Sequence, residues 1–120
     1  MAKFVLLLRA QPVDYSTYSP EDVQQLIEKF NAWAGKLAAQ GLLADGAKLT
    51  DQGGKVIDGL GAKQKVTDGP FGETKEVVGG FYVINAESYD HAVELCKDQP
   101  NLGLGGTVEI REVDNLGQEE

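Results

Sequence analysis

Two kinds of periodicity divide the apolar positions of this chain. Phe4-Val5-Leu6-Leu7-Leu8 is an unbroken run inside Lys3–Arg9, and a short continuous run predicts a strand covered on both faces. Gly80-Phe81-Tyr82-Val83-Ile84 reads the same way. Between them, Val23, Leu26, Ile27, Phe30, Trp33, Ala34, Leu37 and Ala38 recur at helical spacing and form one wide apolar stripe. Ser19-Pro20-Glu21-Asp22 supplies the start of that helix: an N-cap hydroxyl, proline at the first helical position, and acids in the first turn. Gly41 supplies the stop. At this spacing Phe30 and Trp33 predict core packing rather than an aromatic cofactor box.

Weaker patterns fill in the rest. Gln11–Tyr18 reads as a loop, and Leu42–Leu49 as a second strand interrupted by an Asp45-Gly46 turn. Lys55–Asp58 and Ala62–Thr67 read as the arms of a small hairpin with Gly59 and Gly61 in its turn. Ser88 caps a second helix that buries Tyr89, Ala92, Val93 and Cys96 and ends at Pro100. Asn101–Gly106 is a glycine-rich loop, Thr107–Val113 alternates as the last strand, and residues 115–120 form an acidic tail.

The order is β-α-β-β-α-β with a hairpin inserted in the middle. It predicts an α+β, ferredoxin-like sandwich with an antiparallel sheet, as a single domain over residues 1–114. Two helices cover only one face of such a sheet. Since the first and third main strands are apolar on both faces, a second copy packed sheet to sheet is the economical cover, which predicts a homodimer.

Composition narrows the partners. At 120 residues the chain suits one domain, and 19 acidic against 11 basic residues leave a net charge of -8. That balance argues against direct nucleic-acid binding and against anionic membranes. One cysteine and one histidine provide neither a disulfide nor a metal cluster, so no metal and no bound cofactor are expected. The N-terminal apolar run is too short for a signal-peptide core, and no run is long enough to span a bilayer. A cytoplasmic protein is the simplest expectation.

Candidate chemistry gathers in residues 67–81, the densest cluster of turn-formers and charges. Asp68-Gly69-Pro70 suits a rigid corner, in which Asp accepts backbone N–H groups and Pro fixes its own φ. Phe71 would then plug the sheet or the dimer seam. The alternative is a site. Glu73, Lys75 and Glu76 lie on a short connection into a buried strand, where a carboxylate beside apolar groups has a raised pKa and can act as acid or base. Lys75 can hold an anionic or enolate oxygen, or the three charges form a solvated ion-pair network. Strand phase adds Glu109 and Arg111, which share a face opposite Val108 and Ile110, and Arg9, which shares a face with Val5 and Leu7. Neighbouring first and last strands let these three line one cavity or form a buried salt bridge at the seam. Gly103-Leu104-Gly105-Gly106 precedes a strand and lacks a following Lys, so it is not a phosphate loop. One histidine builds no catalytic triad, and Cys96 reads as structural.

Taken together and in order, Asp68-Gly69-Pro70-Phe71, Glu73, Lys75-Glu76, Gly79-Gly80-Phe81, Ser88, Ala92, Pro100 and Val108-Glu109-Ile110-Arg111 resemble the DGPF-domain branch of the YCII-related family. The resemblance runs from Phe4 to Val113. It implies a dimeric α/β barrel in a superfamily that holds small-molecule isomerases, dehalogenases and cofactor-free monooxygenases, with some relatives beside or fused to alternative sigma factors. One departure stands out. The histidine that YCII-type relatives carry on the first helix, working with an aspartate, falls near Phe30 here. The only histidine, His91, is expected on the solvated side of the second helix, so the family's His/Asp pair does not carry over.

These readings converge on a homodimeric small-molecule-binding protein. If it is catalytic, Asp68 or Glu73 transfers the proton, while Arg9, Phe71, Lys75, Glu76 and Arg111 hold an anionic or carbonyl-bearing ligand. The competing expectation is a non-enzymatic ligand-sensing or protein-interaction module.

Overall fold

The computed structural model describes residues 1–11, 15–50, 54–68 and 76–115. Its main elements are β1 (Ala2–Ala10), α1 (Pro20–Ala39), β2 (Leu43–Lys48), β3 (Lys55–Asp58), β4 (Lys65–Asp68), β5 (Val77–Ala86), α2 (Tyr89–Cys96) and β6 (Thr107–Glu112). Four strands form one antiparallel sheet in the order β2-β5-β1-β6, and β3 and β4 pair separately as a hairpin. With its two helices, this α+β arrangement is compatible with a ferredoxin-like fold. Among the described residues no helix is long and apolar enough to cross a membrane.

Local chemistry sets the ends of α1. Ser19 Oγ accepts the Asp22 N–H at 3.0 Å, and the Asp22 carboxylate accepts the Ser19 N–H at 3.1 Å, a reciprocal capping box behind Pro20. The chain leaves through Gly41 at φ 74°, a conformation that favours glycine. The expected apolar stripe is buried only in part. Trp33 and Leu37 enter the core, whereas Leu26 and Phe30 are half-buried and Ile27 and Ala38 exposed. The core residues Phe4, Leu6, Ile84 and Ala86 meet this helix through its C-terminal half alone.

On α2 the core takes Ala92 and Cys96, one helical turn apart, while Val93 and Tyr89 stay largely exposed. Tyr89 packs instead at the helix entrance. Its ring stands edge-on to Phe4 at 4.9 Å, and its hydroxyl accepts the Glu112 N–H at 2.8 Å. From Pro100 the expected loop winds into a 3-10 turn over Pro100–Leu104, with Gln99 at its cap and Asn101 within it both buried.

The Asp45-Gly46 pair also departs from expectation. It does not turn the chain; it lies within β2, where the register shifts between Leu43 and Asp45. Glycine is needed at Gly46 because the Tyr82 ring lies across it, and an added Cβ would fall 2.5 Å from that ring. Tyr82 in turn meets Trp33 edge-on at 5.0 Å, and burial pushes its phenol pKa up. In the hairpin the second arm begins at Lys65, because Gly61–Lys63 coil into a 3-10 turn. Gly59 there has φ 86°, and a Cβ would sit 2.7 Å from the Lys63 carbonyl oxygen.

Register sorts the sheet into two faces. Phe4, Leu6 and Leu8 of β1 pair with Ile84, Tyr82 and Gly80 of β5, and this face meets the helices. The opposite face carries Val5, Leu7 and Arg9 with Val83, Phe81 and Val78, flanked by Arg111, Glu109 and Thr107 of β6. Both helices bury their residues against the first face, so Val5, Leu7, Phe81 and Val83 remain half-buried on a second face that is open among the described residues.

Candidate functional site

The open face holds its charges at the junction of β1 and β6. Arg9 pairs with Thr107, Leu7 with Glu109 and Val5 with Arg111 across that junction. Arg9 Nε donates to Glu109 Oε1 at 2.9 Å, and Arg111 Nη1 reaches Glu109 Oε2 at 3.5 Å. The hydrogen bond from Arg9 is the main reason that the Glu109 carboxyl stays below its ordinary range; partial desolvation opposes it, and the charges of Arg9 and Arg111 add to it. Arg111 is exposed and makes one long bond, although its planar fork suits two-pronged capture of a carboxylate.

Residues outside the sheet fix this corner. Asn101 Nδ2 donates to the carbonyl oxygens of Arg9 and Thr107 at 3.1 and 2.8 Å, tying the end of β1 to the start of β6. Gly106 permits that approach, since a Cβ there would lie 2.4 Å from the Arg9 carbonyl oxygen. Gln99 Oε1 accepts the Asn101 N–H at 2.6 Å, while its Nε2 is buried without a partner among the described residues. Nothing in the local sequence marks Asn101 for this role, because both its acceptors come from strands that only the fold brings together.

One prediction arises here. In an NMR titration the Glu109 side chain ionises below its ordinary value of 4.5 and moves back towards it in Arg9→Gln. A carboxyl with a depressed folded pKa contributes stability that is complete above its unfolded value and is lost as pH falls through the folded one. Wild type therefore weakens more than Glu109→Gln on acidification below that range. With the Glu109 side chain 37% exposed, the difference is small.

Of the other anticipated residues, Asp68 and Glu76 are described. Glu76 is exposed and, with Gln11, Leu104 and Gly105, lines a recess of about 420 Å³ beside the start of β5. Asp68 ends β4, with its side chain 80% exposed and ion-paired to Lys55 across the hairpin. In the single chain it is thus a solvated carboxylate rather than a desolvated acid. Phe71, Glu73 and Lys75 lie outside the described residues. A second groove, of about 490 Å³, runs between α1 and the 3-10 turn past Lys29, Trp33, Lys36 and Asp98, and includes none of the anticipated residues.

Other reactive groups serve structure. His91 is half-buried, and its Nδ1 accepts the Glu87 N–H at 3.0 Å while Ser88 Oγ accepts the His91 N–H. The expected solvated ring is therefore part of the α2 cap. Phe30 is half-buried on α1. Cys96 is buried, and burial, then the nearby Asp98 charge, push its thiol up to about 11, too high for a nucleophile. Among the described residues no three His, Cys, Asp or Glu side chains are placed to hold a metal ion.

Known proteins align over most of this framework. The family description "YCII-related domain" matches residues 2–116. The chain is also 31% identical over 98 residues to an uncharacterized protein of Rhizobium meliloti (strain 1021), covering 80% of this chain and 79% of that protein.

Proposed function

Because this chain belongs to the YCII-related family, we propose that it acts as a homodimeric small-molecule-binding protein of the DGPF branch, with its pocket where two open sheet faces meet. The observation that carries this reading is the open face itself: an apolar strip of Val5, Leu7, Phe81 and Val83 bordered by the Arg9–Glu109–Arg111 cluster. Pockets of this make, apolar with a few convergent polar groups, suit small ligands.

The cationic edge suits a carboxylate or a polarised carbonyl. Arg111 engages the anionic end, and Arg9 stays oriented by its bond to Glu109. Phe71, Lys75 and Glu76, from the connection that enters β5, complete the ligand contacts. In an enzymatic version Asp68 or Glu73 moves the proton once the second copy has excluded water from it. A cytoplasmic setting suits this reading.

A second version of the role, ligand sensing or protein interaction linked to an alternative sigma factor, has its own support. The single histidine is committed to a helix cap, and Asp68 is solvated and ion-paired in the single chain.

A thermal-shift screen of small carboxylates and carbonyl metabolites tests the reading. A ligand at about 100 times its dissociation constant adds about 2.7 kcal/mol, which raises the melting point of a domain this size by several degrees. The expected hits act on wild type and fade in Arg111→Gln. Turnover of a hit that is lost in Glu73→Gln, with binding kept, assigns the enzymatic version; binding without turnover assigns the sensing one. Hits that ignore Arg111→Gln contradict the site.

A further inference from the structure

Resting on the homodimer reading, we propose that the β3–β4 hairpin is an arm that grips a second copy of this chain. Every residue of both strands is exposed. The arm nonetheless carries a core-like set of side chains. Ile57 and Val66 face each other across the strands at 65% and 59% exposure, and Leu60 in the turn is 87% exposed. An isolated two-stranded hairpin is marginal in water and gains stability by packing its apolar face on a third surface. Apolar strands left uncovered also invite unspecific pairing, so soluble proteins cover such clusters.

Charge selects the occupant. Lys55, Lys63 and Lys65 against Asp58 and Asp68 give the arm a net charge of +1, whereas the whole chain carries -8, so the remainder carries -9. Two such bodies repel one another at long range, and the arm is an exposed segment of opposite sign whose approach to a second copy is favourable. Its Lys63 and Lys65 flank the apolar residues and can meet acidic side chains while Leu60, Ile57 and Val66 lose water. The arm thus adds a second contact between copies, separate from the meeting of the open sheet faces.

Sedimentation of wild type beside Ile57→Asp and Leu60→Asp tests this. None of these side chains is buried in its own chain, so the far-UV spectra should match. Each substitution is expected to weaken the dimer about tenfold or more. As a second measurement, isotope-labelled and unlabelled protein are mixed and treated with a zero-length lysine–carboxylate cross-linker. Lys63 or Lys65 should then appear in mixed-label peptide pairs. A dimeric wild type with unchanged variant dimers and only single-label pairs overturns the arm while leaving the sheet-to-sheet reading in place. A monomeric wild type overturns both.

Discussion

Replacing Phe4 by alanine lowers the melting point by roughly 10–20 °C, the consequence of a loss of about 3–5 kcal/mol at a buried aromatic site. Phe4 is 1% exposed at the centre of the core, set by register beside Ile84 on one neighbouring strand and Glu112 on the other. Truncation removes its transfer free energy and leaves a cavity that a sheet paired on both sides cannot collapse to fill. It also removes the edge-on contact with Tyr89, whose hydroxyl holds the Glu112 N–H at the end of β6. Such a contact is worth about 0.5–1.5 kcal/mol beyond burial. Against a typical total of about 5–15 kcal/mol, the variant sits near the edge of folding. A melt followed by circular dichroism measures the shift, and a change within about 2 °C would contradict this description of the core.

Phe81→Asp is expected to do the reverse: spare the protomer and abolish the dimer. Phe81 lies on the open face between Leu7 of β1 and Ala47 of β2, away from the helices. A carboxylate at this half-buried position keeps part of its hydration in a free chain but must lose it in a sheet-to-sheet seam. A two-fold interface presents the change twice. A penalty of several kcal/mol corresponds to a dissociation constant raised by roughly 10²–10⁴. Size exclusion with light scattering should find a monomer with an unaltered far-UV spectrum. A dimer as tight as wild type would place the interface elsewhere.

Elements whose causes are local were legible in the sequence. The Ser19-Pro20-Asp22 start of α1, the runs of β1 and β5, and the alternation of β6 each carry their own signal. Strand phase, together with the first and last strands being neighbours in a ferredoxin-like order, also groups Arg9, Glu109 and Arg111. What the residues could not convey is contact between distant segments. Asp45-Gly46 has turn chemistry, yet the glycine answers to the Tyr82 ring on another strand. Asn101 sits in a glycine-rich run, yet it ties β1 to β6. His91 is on the outer side of α2 by periodicity, yet its ring turns back to the Glu87 N–H. Asp68 has its sequence neighbours in the candidate site, yet in the fold its ion pair is with Lys55 in the hairpin.

A ligand pocket formed where the open sheet face meets a second copy requires a dimer in solution. Sedimentation equilibrium of the wild-type chain across a concentration series tests it most directly. The expected mass is twice that of the 12.9 kDa chain, persisting at moderate salt because the seam is largely apolar. A single species at the mass of one chain throughout the series would contradict it, and with it the pocket.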